Sequence, residues 1–421
     1  MRLCLCLLYL ITAQGVRSLD AAKVYEVGPG YLFTSPVFVP WHMLNPGDIV
    51  QIHWREKAYR ARWAISRQGT EEFPIFIQGI SGPDGQQPII EGDHSFTAVG
   101  PEYKGSNRAV IRIGSAPNSG YDKPANILVE NLHLRGANKE NRFANRDGST
   151  GSFLPYAAGI HVESGHNITV RGCTFENNGI GMMTSHQSEK VVIEECHFYD
   201  NGYPGDIYTH NLYTATLHLT VRKNRFCPLK EGALGNNIKD RSAGLHIHSN
   251  TIVGGNKLLD LVDAEDSEVL REHPDYHEAL VENNLLIKPP NSTSGRILHF
   301  GGDSENVPSY RKRLVFRENT VLTMYQGITS IFRAETNDQH ILAEKNLFYQ
   351  PSEMEVDSRW QITGYMGHIE MVDNRIKGRW YNYPQRSHKN EVPRIQGQET
   401  FIKVEQAQWT PPTPPCRDHI H

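Results

Sequence analysis

Leu219-Thr-Val-Arg-Lys-Asn-Arg-Phe226 and Leu245-His-Ile-His-Ser-Asn-Thr-Ile252 decide how this chain folds. In both, apolar side chains hold the first, third and eighth places and Asn holds the sixth. The first-to-third alternation has the period of a strand, and the two polar residues before the sixth place mark a bend. The same template recurs at Ile127–Leu134, Ile168–Phe175, Val191–Phe198, Ala279–Leu286, Leu314–Val321, Ile341–Phe348 and Ile369–Ile376. Its sixth place runs through Leu132, Cys173 and Cys196 to Asn224, Asn250, Asn284, Asn319, Asn346 and Asn374, at intervals of 23 to 41 residues. Such a period predicts solenoid coils: one short strand has too little apolar surface to fold alone, whereas coils stacked about 4.8 Å apart share a continuous core. Asn at a turn tolerates left-handed backbone and can bond to its counterpart in the next coil. An antiparallel sandwich would need hairpin signals such as Asn-Gly about every ten residues, and these are sparse.

Composition agrees with a folded chain and narrows its partners. Of 421 residues 38% are hydrophobic, which excludes whole-chain disorder. The 43 Lys and Arg against 47 Asp and Glu give a net charge of −4, so no strongly basic surface is available for nucleic acid. Met1-Arg2, the apolar run Leu3–Ala13 and Gln14–Ser18 read as a signal peptide over residues 1–18, too short to span a membrane. A secreted or periplasmic, monomeric chain without a membrane span is expected. Cys4 and Cys6 would leave with the signal. Cys173 and Cys196 fall on one inward corner of consecutive coils and are expected as buried thiols. Cys416 either reaches back to Cys227 or stays free. The predicted organisation is a cap with first coils over 19–100, coils over 101–400, and a Pro-rich tail over 401–421.

A second apolar strand precedes each template strand, and aligning these strands produces a polar stripe. If their apolar members point inward, alternation sends His161, Met183, Asn211, Tyr213, Asn237, Lys239, Asp260, His299 and Arg333 outward on one sheet. Solvated faces are usually rich in Lys, Glu, Ser and Thr, so this selection favours a binding face for an extended polar polymer. His161, Asn211, Asn237, Asp260, His299 and Arg333 are its candidate binding residues, and Lys239, Arg241, His210 and Tyr213 its candidate catalytic ones. A Lys among other cations and partly desolvated can act as a base. The bland alternative pairs Lys239 with Asp240, Asp260 or Asp263. Asp260, Asp263, Glu265 and Asp266 place four carboxylates in seven residues, a set able to hold Ca²⁺ or simply to form a solvated acidic turn. His246 and His248 lie on another face and read as structural.

The template, together with Leu44-Asn-Pro-Gly-Asp-Ile-Val-Gln-Ile52 and Gly69–Ile77, resembles the right-handed parallel β-helix proteins of the pectate-lyase-like group. The opening coils are similar to those of the chondroitinase B and alginate lyase group. The resemblance implies an all-β fold, a single-stranded right-handed parallel β-helix with an N-terminal capping region. It also implies a polysaccharide lyase with a Lys base, an Arg acid and Ca²⁺ on a uronate, and Lys239 matches that Lys. Asn236 and Asn237 stand where that group carries Glu ligands. A glycoside hydrolase, a uronan epimerase with a His base, and a non-catalytic glycan-binding or surface-structural solenoid are the alternatives.

Overall fold

A computed structural model describes residues 22–100, 106–116, 123–302, 309–351, 359–363, 365–380, 393–397, 402–404 and 416. Residues 1–21, which include the stretch read as a signal peptide with Cys4 and Cys6, and most of the Pro-rich tail lie outside them. Almost every strand is parallel to its neighbours and pairs with the strand one coil away. Three sheets result. Sheet I begins at Val24–Val27, Ile49–His53 and Ile75–Ile80 and continues through the template strands, such as Thr216–Arg222 and Ala243–His248, to Arg394–Gln396. Sheet II is built from short strands after the bend, such as Arg225–Phe226 and Thr251–Val253. Sheet III collects the strands that precede each template, from Ala109–Ile113 through Ile238–Asp240 and Lys257–Val262 to Arg359–Thr363.

Each sheet turns one apolar column inward. Leu219, Leu245 and Ala279 stack from sheet I, and Ile238, Leu259 and Leu298 from sheet III, all buried. From sheet II, the rings of Phe175, Phe198 and Phe226 stack 4.6 Å apart and nearly parallel, an interior ladder set by the strand spacing. The N-terminal end is closed by two short turns, Pro36–Phe38 and Trp41–Met43, which lay Trp41 on Trp63 at 4.7 Å.

The bend differs from expectation in one detail. The left-handed residue is the fifth of the template, not the Asn that follows it. Asn131, Gly172, Glu195, Lys223, Ser249, Asn283, Glu318, Lys345 and Asp373 all have φ between 50° and 58°. That turn aims the sixth side chain inward, where a buried amide must satisfy all its hydrogen-bonding groups. The Asn column does so. In Asn224, Asn250, Asn284, Asn319 and Asn346, both the backbone N–H and Nδ2 donate to Oδ1 of the next coil's Asn at 2.9–3.2 Å. Asn284→Ala would leave two buried donors of Asn250 without their acceptor, so it is expected to cost about 2–4 kcal/mol in urea denaturation. A loss below about 0.5 kcal/mol would mean that the ladder is dispensable.

Cys173 and Cys196 head the same column as buried free thiols. Cys416 forms a disulfide with Cys227, 189 residues away, within an apolar cluster containing Val253, Ile287, Leu322 and Tyr349. After strand Lys257–Val262 the chain leaves the coil, forms the helical turn Glu268–Arg271, and docks on the outside of sheet I through buried Leu270 and Tyr276. No helix among the described residues is long and apolar enough to cross a membrane.

Candidate functional site

On the outer face of sheet III the backbone register stacks Arg112, His161, Met183, Tyr213, Lys239, Asp260, His299 and Arg333 into one column. Most of the polar stripe read from strand alternation is therefore real. Asn211 and Asn237 are the exceptions. Both precede their strands at a corner, where alternation no longer applies, and both are fully buried. Their amides continue an interior ladder from Asn178 through Asn201, with Asn211 Nδ2 donating to Asn237 Oδ1 at 2.5 Å. They hold the corner beneath the stripe and do not face a ligand.

Asp260 is the centre of the column and is almost wholly buried. It accepts from Lys257 Nζ at 2.7 Å, Asn236 Nδ2 at 2.7 Å and Lys239 Nζ at 3.3 Å, and faces His299 Nδ1 at 2.8 Å. Burial alone would raise its pKa, but the His299 contact and the charges of His299, Lys257 and Lys239 outweigh it and hold the carboxyl well below the usual range. His299 Nε2 meets Glu335 Oε1 at 2.8 Å, and Arg333 Nε donates to the same oxygen at 2.7 Å. Lys257 Nζ also lies 3.3 Å from His299 Nδ1, so the ring links this lysine and both carboxylates. The network sets the side-chain cations Lys239, Lys257 and Arg333 against the carboxylates Asp260 and Glu335, with His299 between the two carboxylates. Lys239, Arg333 and Tyr213 keep partly exposed surface, while His299 is enclosed as a link between carboxylates.

Beside Lys239, the Tyr213 hydroxyl accepts a bond from Arg241 Nε at 3.2 Å, and the Arg241 guanidinium also donates to the Asp263 carbonyl. His210 is enclosed behind Tyr213, its ring stacked at 6.0 Å. Burial, then the charge of Lys239, pushes its pKa down to about 3, and its Nδ1 accepts from the Asn236 backbone N–H at 3.0 Å. The neutral ring then carries its proton on Nε2, which leaves no lone pair to take a proton from substrate. The candidacy of His210 as a base is corrected on that ground: it fixes the Asn236 turn. His161 is equally enclosed. Burial, then Arg112 and Arg108, lowers its pKa to about 3, and its Nε2 lies 2.9 Å from Ser185 Oγ.

The four carboxylates do not form a calcium cage. Asp260 is filled by cations, and the buried Asp263 carboxylate accepts from the backbone N–H groups of Tyr310 and Arg311 and from Ser309 Oγ. Glu265 and Asp266 are exposed on the far side of the turn. With two of the four consumed by protein donors, the set lacks the six to eight convergent oxygens that Ca²⁺ takes.

Sequence reading missed Lys257 and Glu335, and placed Asn236 only where a related group carries a Glu ligand. Glu335 was detectable, since it lies two residues from Arg333 and so shares its face; Lys257 is the first residue of its strand, where alternation is least constrained, and Asn236 reaches the site from the turn before Ile238–Asp240, where periodicity is silent. The Lys257 turn is held from below by Lys288, fully buried, whose Nζ donates to the carbonyls of Gly255 and Asn256 at 2.8 and 2.7 Å. Burial, then the charge of Arg296, pushes the Lys288 pKa down to about 7. An unfolded Lys titrates near 10.4, so between these values the unfolded chain binds more protons and stability rises with pH, by at most about 1.4 kcal/mol per pH unit. Relative to Lys288→Met, the wild type should therefore gain stability between about pH 7 and pH 10 in denaturant titrations. Parallel pH profiles for the two chains would contradict this.

Residues 122–271 match the family model described as a right handed beta helix region. The fold is the right-handed parallel β-helix. A comparison of the sequence with curated proteins finds no match. Among solved structures, a mutant tailspike protein of E. coli bacteriophage HK620 in complex with hexasaccharide superposes on this β-helix with TM-score 0.55 and 13% identity, over 85% of this chain and 60% of that one. The same tailspike in complex with pentasaccharide gives 0.53 and 12%, over 85% and 60%. An alginate lyase from Paenibacillus sp. str. FPU-7 gives 0.49 and 13%, over 72% and 89%. This β-helix thus spans about 60% of the length of the tailspike chains. At such identities the likeness is one of fold.

Proposed function

We propose that this protein binds an anionic polysaccharide along sheet III and cleaves a uronic-acid-containing polymer by β-elimination. The observation that carries the reading is the register column itself, in which Tyr213, Lys239, Asp260, His299 and Arg333 stand one coil apart with cations in excess. An extended polymer fits a row of groups repeating about every 4.8 Å. The tailspike complexes add that a β-helix can hold an oligosaccharide. A secreted location, as the N-terminal segment suggests, suits such a substrate.

β-Elimination needs three things: a cation on the uronate carboxylate, a base for the proton at carbon 5, and a proton for the departing 4-oxygen. Lys239 already donates to Asp260, so it is suited to be the cation rather than the base. Arg241 lies two residues further along and bonds Tyr213. That bond fixes the position of the phenol oxygen beside Lys239. Tyr213 is therefore assigned the proton transfer, taking the carbon-5 proton and returning it to the leaving oxygen as the carbon–oxygen bond breaks. The experiment is to incubate the protein with alginate, pectate, glucuronan and glycosaminoglycans and follow the ultraviolet absorbance of the unsaturated uronide. New absorbance with one polymer supports the reading. Binding of a polymer without absorbance or shortened product would replace it with a glycan-binding role, and shortened product without absorbance with a hydrolase. Adding calcium is expected to leave the rate unchanged, because Asp260 and Asp263 are already saturated by protein donors.

A further inference from the structure

Far from the groove, the docked insertion brings three metal-ligating side chains together on the outside of sheet I. His218, on strand Thr216–Arg222, has a left-handed φ of 58° that turns its ring toward His273 and Asp275. His218 Nε2 lies 2.8 Å from Asp275 Oδ2, and His273 Nδ1 lies 3.8 Å from the same oxygen. The two rings are 5.4 Å apart and nearly perpendicular, and the three ligand atoms all fall within 4.8 Å of one another. Gly244, the neighbour of His218 one coil on, leaves the room this needs. A Cβ there would meet the His218 ring at 2.6 Å and Asp275 Cβ at 3.6 Å.

We propose that His218, His273 and Asp275 form a site for a divalent transition-metal cation of the zinc class. Ligand atoms about 2.0–2.2 Å from a tetrahedral ion sit about 3.5 Å apart, a spacing that modest side-chain rotations reach from the distances observed. Two imidazole nitrogens and one carboxylate oxygen suit Zn²⁺ and its neighbours, whereas Ca²⁺ and Mg²⁺ require oxygen. Water would complete the coordination. The ion takes the place of the proton shared by His218 and Asp275, and of the 3.2 Å bond that His273 Nδ1 accepts from the Asp275 N–H. Binding weakens as the imidazoles protonate. The ion ties the insertion to the coil. Because the insertion starts at Asp263, whose carbonyl holds Arg241, the clamp lies upstream of the groove without forming part of it.

The test is calorimetric titration of ZnCl₂ into a chain carrying His419→Ala and His421→Ala, which removes the two C-terminal histidines as competing ligands. One ion per chain is expected, undisturbed by excess Mg²⁺ or Ca²⁺. His218→Asn tolerates the left-handed backbone, His273→Asn keeps a helix-capping side chain, and Asp275→Asn keeps the shape, yet each should weaken binding about tenfold or more. If His218→Asn fails to fold, the other two variants decide. No zinc uptake by the parent chain, or unchanged uptake in the variants that fold, would overturn the site.

Discussion

Asp240→Ala is expected to destabilise the protein by about 3–5 kcal/mol, the largest stability effect anticipated for any single side chain here. Asp240 shares a strand with Lys239 but points the other way. It is fully buried, accepts from Thr214 Oγ1 at 2.7 Å and the Ser242 N–H at 3.0 Å, and pairs with Arg311 Nη2 at 2.7 Å. Arg311 is likewise buried; its Nε donates to the Val262 carbonyl and its backbone N–H to Asp263. Burial opposes its charge, but Tyr276, Asp240 and Asp263 outweigh that and raise its pKa. Removing Asp240 strands that guanidinium in the interior. Urea denaturation should show the loss, and the Asp240→Ala/Arg311→Met double variant should lose less than the two single variants summed. Additive losses would mean that the two groups act independently. Because Arg311 fixes Asp263, and the Asp263 carbonyl holds Arg241, the same substitution should also lower activity through misplacement of Arg241.

Tyr213→Phe is expected to reduce kcat about a hundredfold to ten-thousandfold, the contribution usual for a positioned acid or base. The ring stays packed against His210 and only the hydroxyl is lost, so the melting temperature should move by no more than a surface change does. Lys239→Ala should act differently. It removes one of several donors around Asp260, leaving Lys257, Asn236 and His299 in place, so the fold survives while binding of the uronate weakens and KM rises. A Tyr213→Phe variant with unchanged kcat would return the proton transfer to Lys239.

The sequence carries the coil architecture because it repeats. Nine copies of one template, with apolar residues at strand spacing and a polar sixth place, leave little choice about stacking. Alternation also carries the outward column from His161 to Arg333, since side chains on successive coils of one sheet must align. It fails wherever the backbone leaves the strand. Asn211 and Asn237 stand at corners and turn inward, Asn236 enters from a turn and Lys257 from the very start of its strand, and the left-handed residue of the bend precedes Asn because the Asn amide is needed inside. Burial was also illegible: His161, His210 and His299 look like exposed imidazoles in the sequence, yet neighbouring turns and side chains close over each. Composition likewise gives no sign that Asp263 is spent on the Ser309 hydroxyl and the backbone of residues 310 and 311, contacts made across 46 to 48 residues.

The most direct measurement is the structure of Tyr213→Phe with a bound uronate oligosaccharide. Sugar units are expected to run across the coils of sheet III, with one carboxylate within hydrogen-bonding distance of Lys239 or Arg241 and its carbon 5 facing the position of the missing hydroxyl. An oligosaccharide seated on sheet I, on sheet II or at an end of the solenoid, with no contact to Lys239, would contradict this reading.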